Sequence, residues 1–126
     1  MENIGNAMQM LTKKFKERFV IKVGEHLKSI EIKDILYFYS LEKTTFAQTS
    51  DGRKHILDFT LDQIEGLVDP QRFFRINRKY IVGLGAIQDM ISYTNSRLKL
   101  ILKSSDDPEI IVARERVQEF KDWLDK

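Results

Sequence analysis

Ile87-Gln-Asp-Met-Ile-Ser-Tyr-Thr94, Asn95-Ser96 and Arg97-Leu-Lys-Leu-Ile-Leu102 read together as one β-hairpin, and that reading sets the fold class. In the second arm Leu98, Leu100 and Leu102 alternate with Lys99, Ile101 and Lys103, so one face is wholly apolar. A period of two marks a strand with one buried face, whereas a helix repeats its apolar residues at three and four. Asn95-Ser96 supplies turn chemistry between the arms.

The same signals recur on both sides. Upstream, Phe19, Ile21 and Val23 alternate with Val20 and Lys22, Gly24-Glu25 offers a turn, and Leu27 to Ile30 returns as a partner. Ile35 to Leu41 (ILYFYSL) is β-branched and aromatic, the composition of a strand buried on at least one face. Glu42-Lys43 interrupts it and Thr44 to Thr49 resumes strand character. Ser50-Asp51-Gly52 then turns the chain, and Lys54 to Leu57 pairs back. Thr60-Leu61-Asp62-Gln63 has capping-box spacing and opens a helix whose buried stripe is Leu61, Ile64, Leu67 and Val68, stopped by Asp69-Pro70. Phe73 to Ile76 and Tyr80 to Val82 read as strand pieces around a polar interruption. Downstream, Ser104 to Pro108 is a loop and Glu109 to Val112 a last strand. Arg114 to Leu124 is a final helix lined by Val117, Phe120 and Leu124, with Trp123 beside them. The expected architecture is mainly β, antiparallel sheets and hairpins with two short α-helices.

Residues 1–18 differ from the rest. Ile4, Met8, Leu11 and Phe15 form one helical stripe, and Lys13, Lys14, Lys16 and Arg18 crowd its end, where cations suit the negative pole of a helix dipole. This segment is expected to be a connector helix, or residues appended to the domain, ahead of a single domain over 19–126.

Several function classes drop out. With no cysteine there is no disulfide framework and no thiolate nucleophile. The only histidines, His26 and His55, fall in separate strand segments without a further ligand at metal spacing. No serine sits in a Gly-x-Ser-x-Gly turn, and Gly83-Leu84-Gly85 lacks the third glycine of a dinucleotide loop, since Gln88 stands there. The chain is therefore expected not to be an enzyme and to need no cofactor or metal. No apolar stretch approaches the roughly 20 residues of a membrane span, and the N-terminus lacks the basic-then-apolar order of a signal peptide. A cytoplasmic location without a membrane partner is the expectation.

Lys and Arg number 21 against 19 Asp and Glu, so bulk charge makes no case for a nucleic-acid partner and local placement must. Arg72 to Lys79 (RFFRINRK) holds four cations and no carboxylate. Phe73, Phe74 and Ile76 are its apolar anchors, and Arg75, Asn77, Arg78 and Lys79 its donors. Arginine offers a planar fork for phosphate or the O6/N7 edge of guanine, and asparagine can pair with adenine. Arg114 and Arg116 lie where the last strand runs into the last helix, where free N–H groups favour an anion. The same composition also describes a basic hairpin with a solvated face.

The run Phe73-Phe74-Arg75-Ile76-Asn77-Arg78-Lys79-Tyr80-Ile81-Val82 resembles the FxRxHRSyxVN signature of the LytTR DNA-binding domain, with Asn77 and Lys79 at its histidine and serine positions. The strand Asp34 to Tyr39, the turn Asp51-Gly52-Arg53, the Leu61 to Leu67 helix, the Leu98 to Leu102 strand and Val112-Ala113-Arg114 stand in matching order. The resemblance covers about Phe19 to Leu124. It implies an elongated β fold that follows a receiver domain in a two-component response regulator. It implies sequence-specific binding of double-stranded promoter DNA, and so transcription regulation, through loops set into successive major grooves. The contacting segments would be Glu42-Lys43-Thr44-Thr45, Asn77-Arg78-Lys79 and Arg114 to Arg116. Arg75, as a strand residue, joins them or holds a structural ion pair. A dimer on DNA would form through the upstream domain that this chain lacks. The competing expectation is a β-rich protein-interaction module in which Phe74, Tyr80 and the basic residues meet an acidic partner.

Overall fold

The computed structural model describes residues 14–126. Ten strands follow in order: β1 (Arg18–Val23), β2 (His26–Glu31), β3 (Ile35–Leu41), β4 (Thr44–Thr49), β5 (Lys54–Leu57), β6 (Phe73–Arg75), β7 (Tyr80–Gly83), β8 (Ile87–Tyr93), β9 (Arg97–Leu102) and β10 (Ile110–Val112). Two helices interrupt them, α1 (Leu61–Leu67) and α2 (Val117–Leu124). The mainly β class with two short helices is what the periodicity predicts.

All pairing is antiparallel. A central sheet has the order β5-β4-β3-β7-β6, β1 and β2 form a separate hairpin, and β10-β9-β8 form a third sheet. Successive side chains of a strand point to opposite faces, so β3 feeds two cores. Phe38 packs with Phe19, Ile21 and Ile30 of the β1–β2 hairpin and with Leu61 and Ile64 of α1. Tyr37, on the other face, packs with Leu100, Leu102, Ile110 and Val112 of the third sheet and with Phe120 and Trp123 of α2. The central sheet is thus covered on both sides, which explains why ILYFYSL carries almost no polar residue.

α1 begins as its sequence dictates. The Thr60 hydroxyl accepts from the Gln63 N–H at 3.1 Å, and the Gln63 side chain accepts from the Thr60 N–H at 2.9 Å. Thr60→Ala removes one half of this reciprocal cap, and the expected cost is about 1 kcal/mol. Thermal unfolding should show a fall of roughly 3–5 °C for a domain of this size. A midpoint unchanged within 1 °C, on that same scale of roughly 4 °C per kcal/mol, would mean that tertiary contacts hold α1 without its cap.

Three expectations need correction. The final helix is not continuous from Arg114: Arg114–Arg116 is a 3-10 turn closed by Arg116 N–H on Ala113 O at 2.8 Å, and α2 starts at Val117. The Ala113 N–H donates to Ile76 O at 2.9 Å, so the chain is still held against the central sheet there and turns tightly before the helix. The tip of the β8–β9 hairpin is a 3-10 turn over Thr94–Ser96 with Ser96 at φ 60, one residue longer than the two-residue turn expected. The N-terminal connector is the third. Ile4, Met8 and Leu11 lie outside the described residues, while Lys14 to Glu17 are not helical and Arg18 is already in β1. Backbone bonds hold this stretch instead, Lys16 N–H on Leu67 O and Ile32 N–H on Glu17 O, both at 2.8 Å.

Candidate nucleic-acid interface

β3 ends in the turn Glu42-Lys43, and β7 starts beside it, because Tyr39 faces Tyr80 in the register and Ser40 N–H donates to Lys79 O at 2.9 Å. The loop between β6 and β7 therefore lies at the same end of the central sheet as the β3–β4 turn. The junction after β10 reaches that end too. Ala113 N–H is bonded to Ile76 O, the Asn77 side-chain amide donates to Ile111 O at 2.7 Å, and the Arg116 guanidinium donates to Arg75 O at 3.3 Å. Three segments far apart in sequence thus share one edge.

Two residues build the 77–79 loop from within. Asn77 Oδ1 accepts from the backbone N–H of Lys79 at 2.7 Å and of Tyr80 at 2.9 Å, while its Nδ2 holds Ile111 O. Its side chain is committed to the fold and has no free edge to offer an adenine. Arg75 is likewise engaged, with a side chain only 11% exposed. Nε donates to Asn77 O at 2.8 Å and one terminal nitrogen to Arg78 O at 3.0 Å. The other meets Asp62 at 2.7 Å and Glu65 at 3.1 Å. Of the two expectations for Arg75, the geometry answers to the ion pair.

What the loop presents outward is different. Arg78 and Lys79 are exposed, as are Lys43 and Arg114, and none of the four is held in an ion pair among the described residues. Arg78, Lys79 and Arg116 line an open concavity of about 580 Å³, with Asp62, Glu65 and Glu115 on its walls. The edge is therefore mixed in sign, with exposed unpaired cations beside the exposed carboxylates of Glu42 and Glu115. A correction falls on the β3–β4 segment. Thr45 is 6% exposed and paired within β4 between Ser40 and Leu57, so its side chain cannot reach a groove. Thr44 is half-buried at the start of the same strand. Only Glu42 and Lys43 form the turn itself.

A family model for the LytTr DNA-binding domain matches residues 25–125, which is most of the chain. The chain belongs to the LytTr DNA-binding domain family. Membership supports DNA binding and transcription regulation. Sensory transduction protein LytT of Bacillus subtilis (strain 168) is 29% identical over 107 residues, 85% of this chain and 43% of that protein. The chain thus spans less than half the length of that curated relative. A solved LytTr DNA-binding domain from Bacillus cereus superimposes with a TM-score of 0.74 at 18% identity, covering 86% of this chain and 97% of that one, and shows the same fold.

In this LytTr domain the loop before β10 is tied down by two phenols. The Tyr80 hydroxyl donates to Asp107 at 2.8 Å and the Tyr37 hydroxyl to Ser104 O at 3.1 Å. Burial raises both phenols above their ordinary value, Tyr80 by far the more, and for Tyr80 the Asp107 carboxylate adds to it. Both stay protonated donors, and neither face of the loop changes charge through them. The aromatic cluster of Phe74, Phe120 and Trp123, with centroids 5.5–5.8 Å apart, fastens α2 to β6. Phe74 and Tyr80 are accordingly engaged within the fold, which leaves an acidic-partner module only the basic residues of the edge. Asp62 and Glu65 are the residues that sequence reasoning missed. Their spacing of three on a helix, on the face beside Leu61 and Ile64, was the available signal. Among the described residues no cluster of three or more His, Cys, Asp or Glu could hold a metal ion, and no helix is long and apolar enough to cross a membrane.

Proposed function

We propose that this domain binds promoter DNA sequence-specifically, as the output domain of a two-component response regulator, by setting the Glu42-Lys43 turn, the Asn77–Lys79 loop and the Arg114–Arg116 junction into successive major grooves. The observation that supports this reading is the convergence of the three segments on one edge, each carrying an exposed unpaired cation. Lys43, Arg78, Lys79 and Arg114 are the contacting residues. Arg75 and Asn77 position the loop. Arg116 divides its guanidinium between Arg75 O and the concavity. The segment ahead of β1 joins the domain to an upstream receiver domain, through which two copies assemble on repeated half-sites by effective concentration.

Each phosphate contact on B-DNA adds about 0.9 to the slope of log K against log salt. With Lys79 and Arg114 on phosphate and Lys43 and Arg78 turned to bases, the expected slope is about −2, and it reaches about −4 only if all four unpaired cations sit on phosphate. Fluorescence anisotropy on a duplex across a salt series measures it. A flat response would remove the DNA reading and return the edge to a protein partner.

A further inference from the structure

We infer that Glu42 is a specificity-determining residue, whose carboxylate accepts a hydrogen bond from the exocyclic amine of a cytosine in the major groove. The inference rests on the DNA-binding reading above and assigns a base class to one of its segments.

The first observation is conformational. Leu41 pairs with Thr44, so the β3–β4 loop has two residues, and both lie in the left-handed region, Glu42 at φ 51 and Lys43 at φ 67. A two-residue hairpin with both central φ angles positive is the type I′ turn, for which Asn-Gly is the least costly sequence. A residue with a Cβ resists this conformation, and asparagine, aspartate and glycine are the types that tolerate it. This chain uses glycine in two other hairpin turns, Gly24 at φ 61 and Gly52 at φ 86. Besides Glu42 and Lys43, the non-glycine residues at positive φ among the described residues are Ser96 and Ser104, both small. Two long charged side chains at this turn therefore oppose its conformation, and strain of this kind collects where side chains act.

The second observation is electrostatic. Glu42 is exposed, makes no ion pair among the described residues, and shares its edge with Arg78 and Lys79. A carboxylate there weakens attraction to any phosphate, so it opposes non-specific binding. It is an acceptor only. In the major groove guanine shows N7 and O6 and thymine O4, all acceptors that repel it, and adenine sets N7 beside its amine. Cytosine alone presents a donor without an adjacent acceptor of its own. Lys43, next in the turn, suits the O6/N7 edge of guanine, so one C·G pair can satisfy both residues.

The test starts with duplexes selected from random DNA by the wild-type chain at a fixed salt concentration. It then compares Glu42→Gln and Glu42→Gly on the selected duplex and on duplexes changed one pair at a time. Wild type is expected to lose about ten-fold or more when one particular C·G pair is replaced. Both variants should lose most of that discrimination at that pair alone, keep the other preferences, and bind scrambled DNA more tightly. Glu42→Gly should also unfold at a higher temperature, because glycine relieves the left-handed strain, so its loss of discrimination does not come from a damaged fold. If both variants keep the wild-type preference at every pair, the assignment of Glu42 is overturned while DNA binding stands. If wild type selects no sequence at all, the DNA reading fails and this inference with it.

Discussion

Arg78→Ala is expected to weaken binding to a selected duplex about ten-fold or more, and to relax preference at one position, without moving the thermal unfolding midpoint. The side chain is exposed and makes no contact that the fold needs, whereas its backbone is gripped from both sides. Arg75 holds the Arg78 carbonyl at 3.0 Å, and Asn77 holds the neighbouring Lys79 N–H at 2.7 Å. The guanidinium thus projects from a fixed base, which favours a bidentate guanine contact worth about 1–3 kcal/mol in discrimination. Arg114→Ala should behave otherwise. Arg114 opens the 3-10 turn beside Glu115, whose charge disfavours approach to a base acceptor. Its loss should weaken all duplexes about equally and reduce the salt slope by about one. Titrating both variants against a selected and a scrambled duplex decides the matter. Equal losses on the two duplexes for Arg78→Ala would make it a phosphate contact.

Asn77→Ala should have the larger effect on the fold. One amide side chain satisfies the N–H of Lys79, the N–H of Tyr80 and the carbonyl of Ile111, 34 residues away. Truncation leaves three backbone groups without partners in a partly buried place. Each unsatisfied group costs about 1–3 kcal/mol, discounted where water can enter, so a loss of about 2–4 kcal/mol is expected. The unfolding midpoint should then fall by roughly 10 °C, and affinity for every duplex should fall with it, because Arg78 and Lys79 lose their base. Asn77→Asp keeps the two acceptor bonds but cannot donate to Ile111 O, and should fall between wild type and alanine. An alanine variant that melts with the wild type would show that the loop is held by Arg75 alone.

The two variants separate what sequence reasoning can and cannot reach at this site. The exposed connection that carries Arg78 was legible because its neighbours in sequence, Phe73 to Ile76 and Tyr80 to Val82, are strand pieces. Arg75 and Asn77 carry the same donor chemistry in the same run, and nothing local distinguishes a side chain left exposed from one that holds the loop. The difference lies in Asp62 and Glu65 on α1 and in Ile111 on β10. Thr45 was misplaced for a related reason. A threonine beside a charged turn looks available, but the fold pairs it on both sides within the central sheet.

By itself, the sequence determined the elements: period-two alternation in β9, the aromatic run of β3, and the capping box that starts α1 are local patterns read within a few residues. It also determined the family, since the signature from Phe73 to Val82 stands in one run. The tertiary structure decided which cations are free. Arg75 is neutralised by a helix that precedes it, Arg116 turns back on Arg75 O across 41 residues, and the 77–79 loop is tied to β10. It also decided that Glu42 and Lys43 sit in a left-handed turn on that same edge. Such outcomes depend on hydrogen bonds and charges brought together by sheet pairing over long separations. The strength of those contacts is set by distance in space, and no spacing along the chain encodes it.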